Sequence, residues 1–363
     1  MVSGYNNVKA CCNTTARYKA DTKDVKNTTE FIDRNWNNEG LKKERRDILN
    51  GRMPQGCKRC VEKTPKSWQM KRRVHRDYKI KDLIKLNYLL EDGTMIVPPR
   101  SFDMRADITC QANCIMCGPY SSSKWESTVK NDKVNISKYQ GDFVLPKHNI
   151  QTDFEWLDRI DKVPYLNLAG GEPFLNNRDF SYLYKNIDKV QNFRVISNIQ
   201  YMPDEIFDFL EKYSHKITFM VSCDGLEDIY EFIRAPLKWK QFVKNWNRLK
   251  NIYKDKTYSN KLTIFWVKMK YNQHQLKDAF KFFYPHIIGT QPVDQFPFLQ
   301  EDSINEDTPT PDNVKLDAQF IEYTRMYAKA NKIKIPKIIK GMMLEKRQTV
   351  IKSRHKGKIN LKI

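Results

Sequence analysis

Short apolar stretches separated by amphipathic runs organise the middle of the chain. Phe102–Ile108, Tyr165–Ala169, Phe193–Ser197, Ile217–Ser222 and Leu262–Met269 are each brief, rich in β-branched or aromatic residues, and followed by a turn or polar residue. That pattern predicts strands. Between them, Asp153–Asp161, Arg178–Val190, Pro203–Tyr213, Trp239–Tyr253 and His274–Tyr284 read as helices. Pro203 followed by Asp204 and Glu205 suits a helix start, because a first turn has no use for the missing N–H and acids favour the positive end of the dipole. Alternation of this kind predicts parallel strands with crossover helices. Five or six such units make an open or partial barrel, with chemistry at the C-terminal ends of the strands. This α/β region spans residues 101–300. Residues 1–100 are polar and basic, with a helix near Thr29–Asn50 broken by Gly51-Arg52-Met53-Pro54. Residues 301–363 open with an acidic, Pro-containing linker, Glu301–Asp312, continue as a helix over Val314–Asn331, and end in a Lys- and Arg-rich tail, Lys332–Ile363, that reads as a flexible basic arm.

Composition adds limits. With 363 residues, 40% of them hydrophobic, 7 Trp, 18 Tyr and 19 Phe, the chain can bury a core, which excludes global disorder. No apolar run reaches the eighteen or so residues of a membrane span. Met1–Asn7 lacks the basic and then apolar pattern of a secretory signal, so a cytoplasmic location and no membrane partner are expected. The net charge of +21 is that of a surface attracting polyanions or simply keeping the chain soluble. Were nucleic acid a partner, the run Lys71-Arg72-Arg73-Val74-His75-Arg76 and the basic tail would supply phosphate contacts.

The eight cysteines change the picture more. Seven fall in tight groups, and in a reducing compartment such groups read as metal or catalytic sites. Cys223 stands alone beside Phe219-Met220-Val221 and reads as a buried structural thiol. Cys110, Cys114 and Cys117 directly follow a predicted strand, at spacings that let one loop wrap one metal centre. A structural zinc site closes with four ligands, whereas three thiolates suit an iron–sulfur centre with one open coordination position.

The C-x3-C-x2-C pattern after a first strand, with Gly170-Gly171-Glu172-Pro173 after the second, resembles the radical S-adenosylmethionine (radical SAM) superfamily over about residues 101–270. The resemblance implies a partial (β/α)6 TIM-like barrel. It also implies a [4Fe–4S] cluster on Cys110, Cys114 and Cys117, and reductive cleavage of bound S-adenosylmethionine to a hydrogen-abstracting 5′-deoxyadenosyl radical. In it, Gly170, Gly171 and Glu172 receive the cofactor's amino group. Ser197 and Asn198, then Ser222 and Asp224, stand at strand ends where polar groups face the sugar, and Arg234 clamps the carboxylate. Met116 stands where the family commonly has an aromatic residue near the adenine. The implied partners are a one-electron donor such as flavodoxin or ferredoxin and a peptide or small-molecule substrate. No catalytic residue beyond the cofactor groups is singled out.

Upstream, Cys57-Lys58-Arg59-Cys60 and Cys11-Cys12 resemble the auxiliary-cluster module of twitch-type (SPASM/twitch-like) relatives. Their four thiolates suit a second [4Fe–4S] cluster or a zinc site. Adjacent Cys11 and Cys12 argue against a shared ion, since neighbouring side chains on extended backbone point apart. Two rival classes stand beside the enzyme: a metal-stabilised, basic nucleic-acid-binding or nucleic-acid-modifying protein, and an iron–sulfur electron carrier, in which Gly170–Pro173 would have no role.

Overall fold

The computed structural model describes residues 2–3, 7–8, 16–57, 84–99, 101–104, 108–132, 134–140, 158–175, 181, 184–255, 261–291, 299 and 311–345. Cys11, Cys12, Cys60, the basic run 71–76 and the tail beyond residue 345 lie outside them. In chain order the strands are β1 (Val2–Ser3), β2 (Asn7–Val8), β3 (Tyr18–Lys19), β4 (Ser101–Met104), β5 (Val163–Leu168), β6 (Val190–Ser197), β7 (Ile217–Ser222), β8 (Leu262–Val267) and β9 (Ile287–Gln291). The principal helices are α1 (Thr28–Asn35), α2 (Glu39–Leu49), α3 (Ser123–Asp132), α4 (Asp204–Tyr213), α5 (Glu227–Ile233), α6 (Trp239–Ile252), α7 (Leu276–Phe283) and α8 (Pro311–Ala330).

The chain falls into two compact units, one of residues 1–106, 146–167 and 178–193, the other of residues 107–145, 168–177 and 194–363. In the first unit, β1, β2 and β3 form a small antiparallel sheet. The single helix expected over Thr29–Asn50 is two. Asn27 caps α1 by accepting from the Glu30 amide, and Asn38 caps α2 by accepting from the Gly40 amide. The Asn37-Asn38 pair offers the backbone a side-chain partner outside the helix, and that interrupts it. Phe31 and Leu41 from the two helices pack with Val8, Ala20 and Val25. At the end of α2, Gly51 takes φ +68° and its amide donates to the Ile48 carbonyl at 3.1 Å, the left-handed termination that glycine permits.

Strands β4 to β9 pair in chain order in a six-stranded sheet. β7, β8 and β9 are parallel, with Phe219 opposite Leu262, Ser222 opposite Phe265, and Thr263 opposite Ile287. The sequence predicts five strands. The sixth, β9, carries Gly289 at its centre, which weakens the strand pattern. In the second unit, Ile217, Phe219 and Val221 alternate inward and are fully buried, as are Phe242, Trp246 and Leu249 on one face of α6. Burying a large apolar side chain stabilises a fold by roughly 1.5–3 kcal/mol, so these stripes are what hold the helices to the sheet.

The C-terminal region departs from the flexible arm expected of its composition. Helix α8 begins at Pro311, and residues 337–345 are helical again. Ile339 and Met343 are buried with Phe320, Tyr323 and Tyr327, and Ile333 and Ile335 pack against them. Apolar residues spaced among the lysines give this stretch a buried face that a charge count hides. Among the described residues no helix is long and apolar enough to cross a membrane.

Candidate active site

All of the candidate residues from 110 to 234 lie in the second unit, on segments that follow β4, β5, β6 and β7. The loop bearing Cys110, Cys114 and Cys117 is fixed from several sides. Ser123, at the start of α3, accepts from the Cys110 amide at 3.1 Å, and Ser122 donates its hydroxyl to the Ala112 carbonyl at 2.6 Å. Trp125 Nε1 donates to the Cys114 carbonyl at 2.9 Å, and Tyr323 Oη donates to the Ile115 carbonyl at 2.7 Å. The amides of Asn113 and Ile115 donate to the carbonyls of Ala235 and Ile233 at 2.6 and 2.8 Å, so the main chain on both sides of Cys114 is strapped to residues 233–235. Cys114 is buried, while Cys110 and Cys117 are half-buried.

The thiols are not equivalent. Donation from the Cys117 thiol, then the positive charge of Arg234, hold the Cys114 thiol below its ordinary range despite its burial. Cys117 is pushed up, as the donor in that pair and as a buried group. Burial raises Cys110 to about 12. Among the described residues no three His, Cys, Asp or Glu side chains close on a single metal ion. Three soft thiol donors on one loop match an iron–sulfur cluster in number and chemistry.

The Gly170–Pro173 turn is built directly onto this loop. Gly171 has φ +53°, and a Cβ there would sit 2.4 Å from the Thr109 carbonyl oxygen, so the close approach admits only glycine. The Glu172 amide donates to that same oxygen at 2.7 Å. The Glu172 side chain is buried, its oxygens accepting from Ser197 Oγ at 2.6 Å and from the Asn198 amide at 2.8 Å. Burial raises its pKa to about 7, with the Ser197 and Asn198 bonds working in the opposite direction. Among the described residues Glu172 forms no salt bridge. A buried carboxylate held by neutral donors at a strand end is the complement of an ammonium group.

Ser197 and Asn198 are thus brought to Glu172. Asn198 Oδ1 also accepts from Gln111 Nε2, at 3.2 Å, which ties this strand end to the cysteine loop. Ser222 is buried at the end of β7. Asp224 has no exposed surface (0%); its Oδ1 accepts from the Val267 amide at 2.6 Å and its Oδ2 lies 2.5 Å from Arg234 Nη2. Arg234 Nη1 donates to Cys114 Sγ at 3.7 Å. Arg234 therefore meets both Asp224 and the cysteine loop. Met116 is half-buried and packs against the core around Tyr323 and Tyr327. Cys223 is fully buried and donates to the Gly225 carbonyl. In the first unit, Cys57 is half-buried at the end of a short turn, close enough for its charge to bear on the Tyr18 phenol.

Sequence reasoning missed α3 and the two tyrosines of α8. Ser122, whose hydroxyl accepts from the Trp125 amide at 3.3 Å, caps α3, and a serine ahead of an amphipathic run is a signal that could have found the helix. Nothing local marks Tyr323, which lies 208 positions from Ile115.

No protein-family model matches the chain, and no curated protein matches it. Solved structures to which the chain shows similarity include anSMEcpe with bound AdoMet, 16% identical over 63% of this chain and 57% of that one, with a TM-score of 0.39. Streptococcus suis SuiB bound to precursor peptide SuiA is 12% identical over 81% of this chain and 60% of that one, with a TM-score of 0.35. TYW1 with a lysine-pyruvate adduct bound is 18% identical over 71% and 80%, with a TM-score of 0.33. The chain covers less than two thirds of the length of the first two. What bears on its function is the geometry of its own site.

Proposed function

We propose that the chain is a radical SAM enzyme, with Cys110, Cys114 and Cys117 holding a [4Fe–4S] cluster whose remaining iron takes S-adenosylmethionine. The observation that carries this reading is the joint between two motifs distant in sequence: Gly171 and Glu172 pack on the Thr109 carbonyl, one residue before Cys110. A buried, unneutralised carboxylate is thereby held beside a loop of three thiols. When bound, the cluster and S-adenosylmethionine together supply one-electron reductive cleavage and hydrogen-atom abstraction.

The chain's own residues bind and orient. Glu172 receives the ammonium of the methionine part, with Gly170 and Gly171 letting the backbone come close. Ser197 and Asn198 aim the Glu172 carboxylate. Ser222, at the end of β7, contributes a hydroxyl toward the ribose. Asp224 and Arg234 complete the cofactor set, toward the ribose and the methionine carboxylate, and Arg234 also donates to Cys114 Sγ. Trp125, Tyr323 and Tyr327, each fully buried, keep water from the back of the cysteine loop. The reading includes an external one-electron donor and a peptide or small-molecule substrate, and it leaves Cys57 as one ligand of an auxiliary cluster.

Anaerobic reconstitution with iron and sulfide tests it. The protein should turn brown with about four iron per cysteine triad. After reduction with dithionite it should convert S-adenosylmethionine to methionine and 5′-deoxyadenosine, and Cys114→Ala should lose that cleavage and the iron of the triad. A colourless protein that retains zinc, or a Cys114→Ala variant that cleaves normally, would refute the assignment.

A further inference from the structure

A buried arginine normally spends its donors on carboxylates or carbonyls; Arg234 directs one of them at sulfur. It is 6% exposed, with Nη2 at 2.5 Å from Asp224 Oδ2 and Nη1 donating to Cys114 Sγ at 3.7 Å. Neither partner is free to move away. Asp224 is anchored by the Val267 amide on its Oδ1 and by Asn272 Nδ2 on its main-chain carbonyl, at 2.6 and 2.9 Å. Cys114 is flanked by the two main-chain bonds from Asn113 and Ile115 to residues 235 and 233, on either side of Arg234 itself. The guanidinium is therefore held between a carboxylate and a thiol, inside the protein, where charges are poorly screened.

We infer that Arg234 is a positioning residue that sets the electron affinity of the metal centre on Cys114, with Asp224 moderating its charge. The inference rests on the cluster proposed above. Adding one electron to a thiolate-ligated cluster adds one negative charge, and donors to the ligating sulfur favour that reduced state. A cation at Cys114 Sγ favours it further, and the Asp224 carboxylate paired with that cation partly cancels the effect. The two residues therefore act in opposite directions. Removing the Arg234 charge makes the centre harder to reduce, and removing the Asp224 charge makes it easier.

The test is a potentiometric titration with dithionite of the reconstituted full chain, followed by the electron paramagnetic resonance signal of the reduced cluster, with iron content measured alongside. In Arg234→Gln the reduction equilibrium should shift about tenfold toward the oxidised form, about 59 mV for one electron. Asp224→Asn keeps the acceptor for the Val267 amide and should shift the equilibrium toward the reduced form. Arg234→Lys keeps the charge without the two-point fork and should fall between wild type and Arg234→Gln. A purely structural role for the pair would displace Cys114 in both variants and would not give shifts of opposite sign. Midpoints unchanged from wild type, or displaced in the same direction in both variants, overturn the inference. If Arg234→Gln takes up no iron, Asp224→Asn decides alone: an easier reduction supports the assignment and any other result overturns it. A wild-type chain that binds no cluster sinks the proposed function first, an outcome distinct from these.

Discussion

Glu172→Gln offers a measurement in which stability and ligand binding should move in opposite directions. The ordinary glutamate value of 4.5 is raised to about 7 in the folded chain, principally by burial. Because the folded value lies above the unfolded one, the ionised form is the less welcome in the folded state. This group's contribution to stability is fully present below pH 4.5 and is lost as pH rises to about 7. At about 1.4 kcal/mol per pH unit the full loss is roughly 3 kcal/mol, most of it between pH 5 and pH 8. Glutamine keeps the shape and can accept from the Asn198 amide while donating toward Ser197 Oγ, but it does not ionise. Urea unfolding of the metal-free wild type and variant at pH 5 and pH 8 would read the difference. The variant should gain about 2–3 kcal/mol relative to wild type between those two pH values, whatever its offset at pH 5. Its affinity for S-adenosylmethionine, measured on the reconstituted protein, should fall, since the ammonium loses its counter-charge. A stability difference that does not change with pH would show that Glu172 is not the buried, unpaired carboxylate described above.

The remaining predictions concern how the cysteine loop is held. Gly171→Ala should destabilise by about 3 kcal/mol, from a left-handed conformation at ~1–2 kcal/mol and an overlap with the Thr109 backbone. Gly51→Ala, with φ +68° but nothing within 4 Å, should cost only about 1 kcal/mol. Equal losses in chemical denaturation would mean that the Thr109 approach is not what demands glycine. Tyr323→Phe leaves the Ile115 carbonyl without its side-chain donor and should cost about 1–3 kcal/mol. Faster amide hydrogen exchange across residues 113–117 should accompany it, and exchange unchanged from wild type would mean that α8 does not brace the loop.

The division between what was legible early and what was not follows from how local each cause is. The strand over Ile217–Ser222 and the helices near residues 204–213 and 239–252 could be read directly, because alternation and helical spacing are properties of neighbouring residues. Two features obscured their neighbours. The Asn37-Asn38 pair split one expected helix, and Gly289 masked β9. The cysteine spacing and the Gly170–Pro173 run were visible as chemistry, but their joint through Thr109 was not. Asp224 was legible as a polar residue at a strand end and Arg234 by resemblance alone, yet their pairing and the arginine's aim at Cys114 could not be deduced from spacing.

By itself the sequence determined which residue types were on offer: three soft donors on one loop, a carboxylate after two glycines, and strands whose ends would carry them. Tertiary structure alone decided which of these meet. It set Glu172 against Ser197, turned Asp224 toward Arg234, and packed Ile339 and Met343 of the lysine-rich C-terminal stretch against Tyr323 and Tyr327 of α8. The reason is physical. Periodicity acts over a few residues, whereas burial and pairing are fixed by packing between segments far apart along the chain, where a side chain's partner depends on the whole fold.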